Sequence, residues 1–222
     1  MADVSHISAA PASGNETLEM CEAVIAWAKQ RRPGVRALRE LVLGDRRIDL
    51  VFVDERDVFG VEIKSSRDRL DRLEAQMAEY SRYLPEVWIA IAPKWQAPVE
   101  KIHGLRANRL IVEDGTARTL IKYQERIGDA GRRPQRDELS IMRLLELLWQ
   151  GEAARIAERT GIIPGCTRSS QMTAPKIKKM LARLLTGNEI LGEVCRELRS
   201  RPLVGLRSDP PLRGETAAAS EQ

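Results

Sequence analysis

The chain has 222 residues, 43% hydrophobic and 31% charged, which gives it enough apolar material for a core and excludes global disorder. The longest apolar runs, such as Val87–Ala92, fall far short of the ~20 residues needed to cross a bilayer, and no basic flank followed by an apolar stretch marks a secretory signal, so no membrane partner is expected. Net charge is +4 but uneven: residues 1–125 carry 19 basic and 20 acidic side chains, whereas residues 126–222 carry 17 and 12, so an anionic partner is expected for the second half.

Cys21, Cys166 and Cys195 are odd in number and lack CxxC spacing. Together with only two histidines, His6 and His103, they argue against a disulfide framework or a zinc site. A reducing, cytoplasmic location is expected, and any metal would be a hard cation held by carboxylates.

In chain order, residues 1–15 are small, polar and aperiodic, and are expected to be disordered. Leu18, Cys21, Val24, Ile25 and Ala28 predict a helix from Glu16 to Arg31, which Pro33-Gly34 ends. Three strands are predicted next, at Val35–Leu43, Ile48–Val53 and Val58–Lys64, separated by polar turns. A second helix is predicted from Arg67 to Leu84 on the stripe Leu70, Leu73, Met77, Tyr80 and Leu84, with Ser65 or Ser66 as its cap. A buried strand at Val87–Ala92, a short helix at Val99–Arg106 and strands at Arg109–Glu113 and Ala117–Tyr123 complete a first unit spanning residues 16–125.

The order of these elements predicts an α/β fold, a mixed central sheet flanked by helices. Residues 126–136 read as a linker, residues 137–201 as an all-helical region (Asp137–Gln150, Glu152–Thr160, Thr173–Thr186 and Asn188–Ser200), and residues 202–222 as a mobile tail.

The chemistry concentrates between Asp49 and Lys64. Alternation along a strand puts Asp49 on the face of Val51 and Val53, and puts Glu62 and Lys64 together on one face of the next strand. Charges on such apolar strands cost several kcal/mol each unless they pair or bind an ion. Asp49 and Glu62 can lie side by side, and two carboxylates so placed are held by a divalent cation, Mg2+ or Mn2+, with the Ile63 carbonyl as a further oxygen ligand. That arrangement suits phosphodiester hydrolysis, with Lys64 orienting a water and offsetting charge. On the following helix, Gln76 and Tyr80 stand four residues apart, on one face, at the margin of the apolar stripe.

Asp49, twelve residues, then Glu62-Ile63-Lys64 resembles the motif of the PD-(D/E)XK, restriction-endonuclease-like nuclease superfamily, and Gln76-x-x-x-Tyr80 resembles the QxxxY motif of its RecB-like branch. The likeness covers residues 16–123. The run Glu62–Tyr83 is also similar to small bacterial proteins with helical C-terminal regions, and its EIKSS stretch to MmcB-type DNA repair proteins. Ile48 stands where the superfamily's name has proline.

The resemblance implies a restriction-endonuclease-like fold, DNA as partner, Mg2+ or Mn2+ as cofactor, and Asp49, Glu62, Lys64, Gln76 and Tyr80 as site residues. It also implies a glutamate from the first helix, for which Glu22, beside the apolar face, is favoured over Glu19. Farther on, Lys176, Lys179 and Arg183 follow i, i+3, i+7 spacing with no acid between residues 168 and 183, the pattern of either a phosphate-contacting or a merely solvated helix face. The four tryptophans read as packing residues.

The expectation is therefore a metal-dependent deoxyribonuclease acting in DNA repair, defence or mobile-element processing. The alternatives are a non-catalytic DNA-binding or repair accessory protein on the same fold, or a helical DNA- or protein-binding regulator. Oligomeric state, a homodimer included, is left open.

Overall fold

A computed structural model describes residues 13–105, 107–121, 138–163 and 172–201. The expected disorder before residue 13, the linker at 126–136, the tail from 202, and Cys166 lie outside them.

Helix α1 (Ser13–Arg31) leads into strands β1 (Arg36–Leu43), β2 (Arg46–Val53) and β3 (Val58–Lys64). Helix α2 (Leu73–Tyr83) crosses to β4 (Glu86–Ile91). A 3-10 turn at Pro93–Trp95 and the short α3 (Gln96–Glu100) then lead to β5 (Asn108–Glu113) and β6 (Thr116–Ile121). The strands lie side by side in sequence order, antiparallel from β1 to β3, parallel across β3–β4 and β4–β5, and antiparallel again at β5–β6. This is the mixed sheet flanked by helices that the order of elements predicts.

The sheet is covered on both faces, which is why its central strand is buried at every position. On one face α1 packs Val24, Trp27 and Ala28 against Leu50, Phe52, Phe59, Val61 and Trp88. On the other face α2 packs Leu73, Met77 and Tyr80 against Val51, Val53, Ile89 and Ile91.

Helices α4 (Glu138–Glu146), α5 (Gln150–Arg159), α6 (Ala174–Leu184) and α7 (Gly187–Ser200) follow, and the helical C-terminal region is present as expected. Leu144, Leu148, Ile156, Leu181, Val194 and Leu198 join the α2 layer in one continuous core. The helical region is thus part of the sheet's own cover. Arg36 of β1 reinforces this by donating to the carbonyls of Arg199 and Arg201 at the end of α7. Among the described residues, no helix is long and apolar enough to cross a membrane.

Two boundaries differ from expectation for identifiable reasons. Helix α2 starts at Leu73, not Arg67, because Asp68 accepts hydrogen bonds from the Ser65 amide (2.7 Å) and hydroxyl (2.6 Å) and closes a turn. Ser65 therefore serves that turn, and the cap residue Arg72 makes no side-chain cap. The short helix forms at Gln96–Glu100 rather than Val99–Arg106, since Gly104 takes a left-handed φ of 84° that breaks any continuation. Helix α1 also begins earlier than expected, at Ser13.

Gly60 lets α2 close down on β3. A Cβ there would sit 2.5 Å from both Ile48 Cδ1 and Leu84 Cδ1. Gly60→Ala is expected to cost about 1–3 kcal/mol, read from the denaturant midpoint, because a packed core absorbs an added methyl poorly. An unchanged midpoint would mean that the two side chains step aside freely.

Candidate functional site

The β2–β3 ladder runs from Val53↔Val58 to Leu50↔Val61, and its register carried one step further sets Asp49 opposite Glu62. There the strands part. Instead of meeting a β2 carbonyl, the Ile63 amide donates to Asp49 Oδ2 at 2.7 Å. A strand residue's N–H and C=O project to the same side, so the Ile63 carbonyl also faces β2 just past the last ladder pair. Strand alternation turns Asp49, Glu62 and Lys64 toward the α2 layer, on the face opposite Leu50, Val61 and Ile63.

Three of the expected site residues form a closed hydrogen-bonded set. Lys64 Nζ donates to Glu62 Oε1 (2.9 Å) and to Gln76 Oε1 (3.0 Å), and Gln76 Nε2 donates to the same Glu62 oxygen (2.6 Å). Glu62 is 3% exposed and Lys64 8%. The other oxygen, Glu62 Oε2, is buried and has no hydrogen-bond partner. A buried carboxylate oxygen left alone is costly, and it marks either a strained group or a place for an ion or water.

Asp49 reports the same electrostatics. Its pKa rises from 3.8 to about 7, chiefly through burial and next through the Glu62 charge; the Ile63 amide and Lys64 pull it back, and Asp68 adds to the rise.

Tyr80 follows Gln76 by one turn and adjoins the same set from within the core. It is fully buried, and its hydroxyl donates to the Arg47 carbonyl at 2.8 Å, two residues before Asp49. Burial and the Glu62 charge push its pKa upward, so the phenol stays neutral. Tyr80 thus fixes the start of β2 while its hydroxyl stays within the electrostatic reach of Gln76, Glu62 and Asp49.

Glu22 is also not placed as expected. It is exposed between the buried Cys21 and Ala23, and no hydrogen bond or ion pair joins it to Asp49, Glu62, Lys64 or Gln76 among the described residues. Glu16 of α1 does reach this end of β3, where it accepts from the Ser66 amide (2.8 Å) and hydroxyl (2.7 Å). Sequence reading missed Glu16, Ser66 and Asp68. The Ser65-x-x-Asp68 spacing, that of a side-chain-closed turn, was the available signal for the last. Cys21, on the inner side of α1, has its thiol pushed up to about 11 by burial, with Asp49 among the charges that raise it further. It is no nucleophile.

On α6, Ile177 and Leu181 are buried while Lys176, Lys179 and Arg183 are exposed, and no hydrogen bond or ion pair engages these three among the described residues. Trp27 and Trp88 pack edge to face at 4.9 Å, as a packing role requires. Trp95 donates to the Ser65 carbonyl at 2.8 Å. Trp149 departs from that role, being 54% exposed.

Among the described residues, no group of three or more His, Cys, Asp or Glu side chains is placed to hold a metal ion. The oxygen donors where β2 and β3 part are the Asp49 and Glu62 carboxylates and the Ile63 carbonyl.

The chain was also compared with known proteins. No curated protein matches it. A solved structure, the SPO1766 protein of unknown function from Silicibacter pomeroyi, is similar at 17% identity and a TM-score of 0.38, over 50% of this chain and 70% of that one. The family model described as bacteriophage P4 protein cII matches residues 19–186, from α1 through α6 and thus more than half of the chain. The chain belongs to the bacteriophage P4 protein cII family.

Proposed function

We propose that this protein is a metal-dependent nuclease of the PD-(D/E)XK, restriction-endonuclease-like type, hydrolysing DNA phosphodiester bonds in Mg2+ or Mn2+. The observation that carries the reading is the unpartnered, buried Oε2 of Glu62, on the strand position opposite an Asp49 whose carboxyl is held near neutrality.

The donors fit a hard cation. Asp49 and Glu62 would hold it with the Ile63 carbonyl, and Mg2+ commonly takes only one or two protein carboxylates and fills its shell with water and substrate phosphate. When bound, the cation would polarise the scissile phosphate and acidify a water. Lys64, fixed by Glu62 and Gln76, holds a positive charge where the pentavalent phosphate develops negative charge, and Gln76 keeps both side chains in place. We place the activity in the cytoplasm, in DNA repair, defence or mobile-element processing; the last accords with a family named for a bacteriophage protein.

A non-catalytic DNA-binding accessory role on the same fold is favoured by one observation: Lys64 and one oxygen of Glu62 already satisfy each other, a pairing that needs no metal. Metal linkage separates the two readings. Asp49 has a raised pKa, so its contribution to stability is complete below pH 3.8 and is lost as pH rises through about 7. A cation that competes with that proton should raise Tm little at pH 5.5 and by several degrees at pH 8. In chelator at pH 8, Asp49→Asn should melt above the parent, because it removes the repulsion yet keeps an acceptor for the Ile63 amide. It should also lose the Mg2+ response. A parent Tm indifferent to Mg2+ and Mn2+ at pH 8 sides with the accessory role.

A further inference from the structure

Arg39 stands on β1, an edge strand of the sheet, and is only 9% exposed. Its register partner is Leu50, which belongs to the core beneath α1, so the Arg39 side chain turns to the α1 face. Leu50 is also the residue after Asp49. The pairs Arg39↔Leu50 and Leu41↔Ile48 leave Glu40 opposite Asp49, and Glu40 takes a left-handed φ of 55° there. The Cys21 thiol of α1 senses the charges around this point: after burial itself, Arg39 is the largest influence on it and Asp49 the next, followed by Glu22 and Glu40. Arg39 thus borders Asp49 from the α1 side of the sheet.

Nε and Nη2 of Arg39 are sealed from solvent and have no hydrogen-bond partner. Nη1 is not sealed, and no hydrogen bond or ion pair engages it among the described residues. The surrounding acids are turned elsewhere. Asp49 Oδ2 accepts from the Ile63 amide, Glu40 reaches Arg47 at 3.5 Å, and Glu22 is exposed.

A guanidinium cannot escape the cost of burial by losing its proton, and an unpaired buried charge weighs heavily on a fold. A structural arginine is paired, as Arg201 is with Glu152. Arg39 instead holds its charge in place with one nitrogen open. That charge is delocalised over three nitrogens, so an oxyanion meeting Nη1 compensates the two sealed ones as well. A strand whose scissile phosphate lies at Asp49 and Glu62 carries further phosphates on either side of it, which makes phosphate the anion that reaches this spot. We propose that Arg39 is an anion-binding residue that takes a phosphate of the DNA strand beside the Asp49–Glu62 site. The group recognised is a phosphate oxyanion, of a terminal monoester or an internal phosphodiester. This deepens the proposed nuclease function by adding a substrate-binding residue outside its motif, and it rests on that reading.

The test is made in chelator, so that no readout depends on cleavage. In phosphate-free buffer Arg39→Met should melt a few degrees above the parent, since it removes an uncompensated buried charge and keeps the length of the stem. Inorganic phosphate, with ionic strength matched by chloride, should raise the Tm of the parent by a few degrees more than that of Arg39→Met; the variant's own rise measures the general salting effect. Arg39→Met should bind a fluorescein-labelled duplex about tenfold more weakly, with a salt slope lower by about 0.9, and Arg39→Lys should recover part of the loss. Duplexes with and without a 5′-phosphate separate the two sources. A defect confined to the phosphorylated duplex assigns the terminal group, and an equal defect on both assigns the internal backbone. A parent that binds through Arg39 but cuts no DNA once Mg2+ or Mn2+ is restored defeats the nuclease reading alone. Two results overturn the inference. One is the same phosphate response and duplex affinity in the parent and Arg39→Met. The other is a Tm of Arg39→Met below that of the parent in phosphate-free buffer, a failure to fold included, which makes the guanidinium a structural group.

Discussion

Glu62→Gln is expected to lower DNA cleavage in Mg2+ or Mn2+ by about a thousandfold or more while leaving the fold intact. The substitution keeps the shape of the side chain and an oxygen for Lys64 and Gln76, which lie 2.9 and 2.6 Å from Glu62 Oε1, but removes the charge that a cation would meet at Oε2. Lys64→Ala should lose a similar factor for a different reason, since it removes positive charge near the phosphate. It also strands a buried carboxylate, so its Tm should fall further than that of Glu62→Gln, in which an amide oxygen still accepts from Lys64 and Gln76. Asp49→Asn is a cleaner probe than Asp49→Ala, because the Ile63 amide, 2.7 Å from Oδ2, needs an acceptor. Linear, nicked, branched and single-stranded DNA form the substrate panel. If the parent cuts none of them with either metal, the accessory role replaces the nuclease. If Glu62→Gln cuts as fast as the parent, the chemistry lies elsewhere on the chain.

Much of this site could be read from the order of residues alone. The bounds of β3 at Val58 and Lys64 were legible because a polar turn precedes the strand and two charges interrupt its apolar run. The meeting of Asp49 with β3 followed from alternation and turn position. Gln76, which meets Glu62 and Lys64, was legible as a residue at the margin of the apolar stripe of α2 and, by the QxxxY resemblance, as a site residue.

What failed did so where side chains compete for several partners. Ser65 and Ser66 have the chemistry of helix caps, but Asp68 and Glu16 claim them for a turn, and α2 starts six residues late. Glu22 looked suitable because it borders the apolar stripe of α1, yet the point where α1 meets β3 depends on how the helix crosses the sheet, and that brings Glu16 there. The four C-terminal helices were legible by periodicity. Their joining the α2 layer was not, since an apolar stripe does not name the surface it will cover.

The second large effect lies in that joined layer. Arg201→Met is expected to lower stability by about 3–5 kcal/mol, which for a chain of this size is roughly 10 °C in Tm. Arg201 and Glu152 have side chains only 1% and 2% exposed, and their bond is bidentate. The same guanidinium donates to the Leu147 carbonyl at 2.5 Å, and Glu152 also accepts from the Trp149 amide at 2.7 Å. One pair thus ties the end of α7 to the turn before α5, while the Arg201 carbonyl receives Arg36 from β1. Removing the arginine leaves a buried carboxylate with a single amide donor, and the loss comes mainly from that uncompensated charge. The double substitution Glu152→Met/Arg201→Met should therefore recover a large part of the stability, because two apolar side chains of similar length leave no charge behind. The single variant should also change the emission of Trp149, whose ring loses the cation beneath it. A Tm within a degree or two of the parent for Arg201→Met, or a double variant no better than the single one, would show that the ion pair does not hold the end of α7 to the turn before α5.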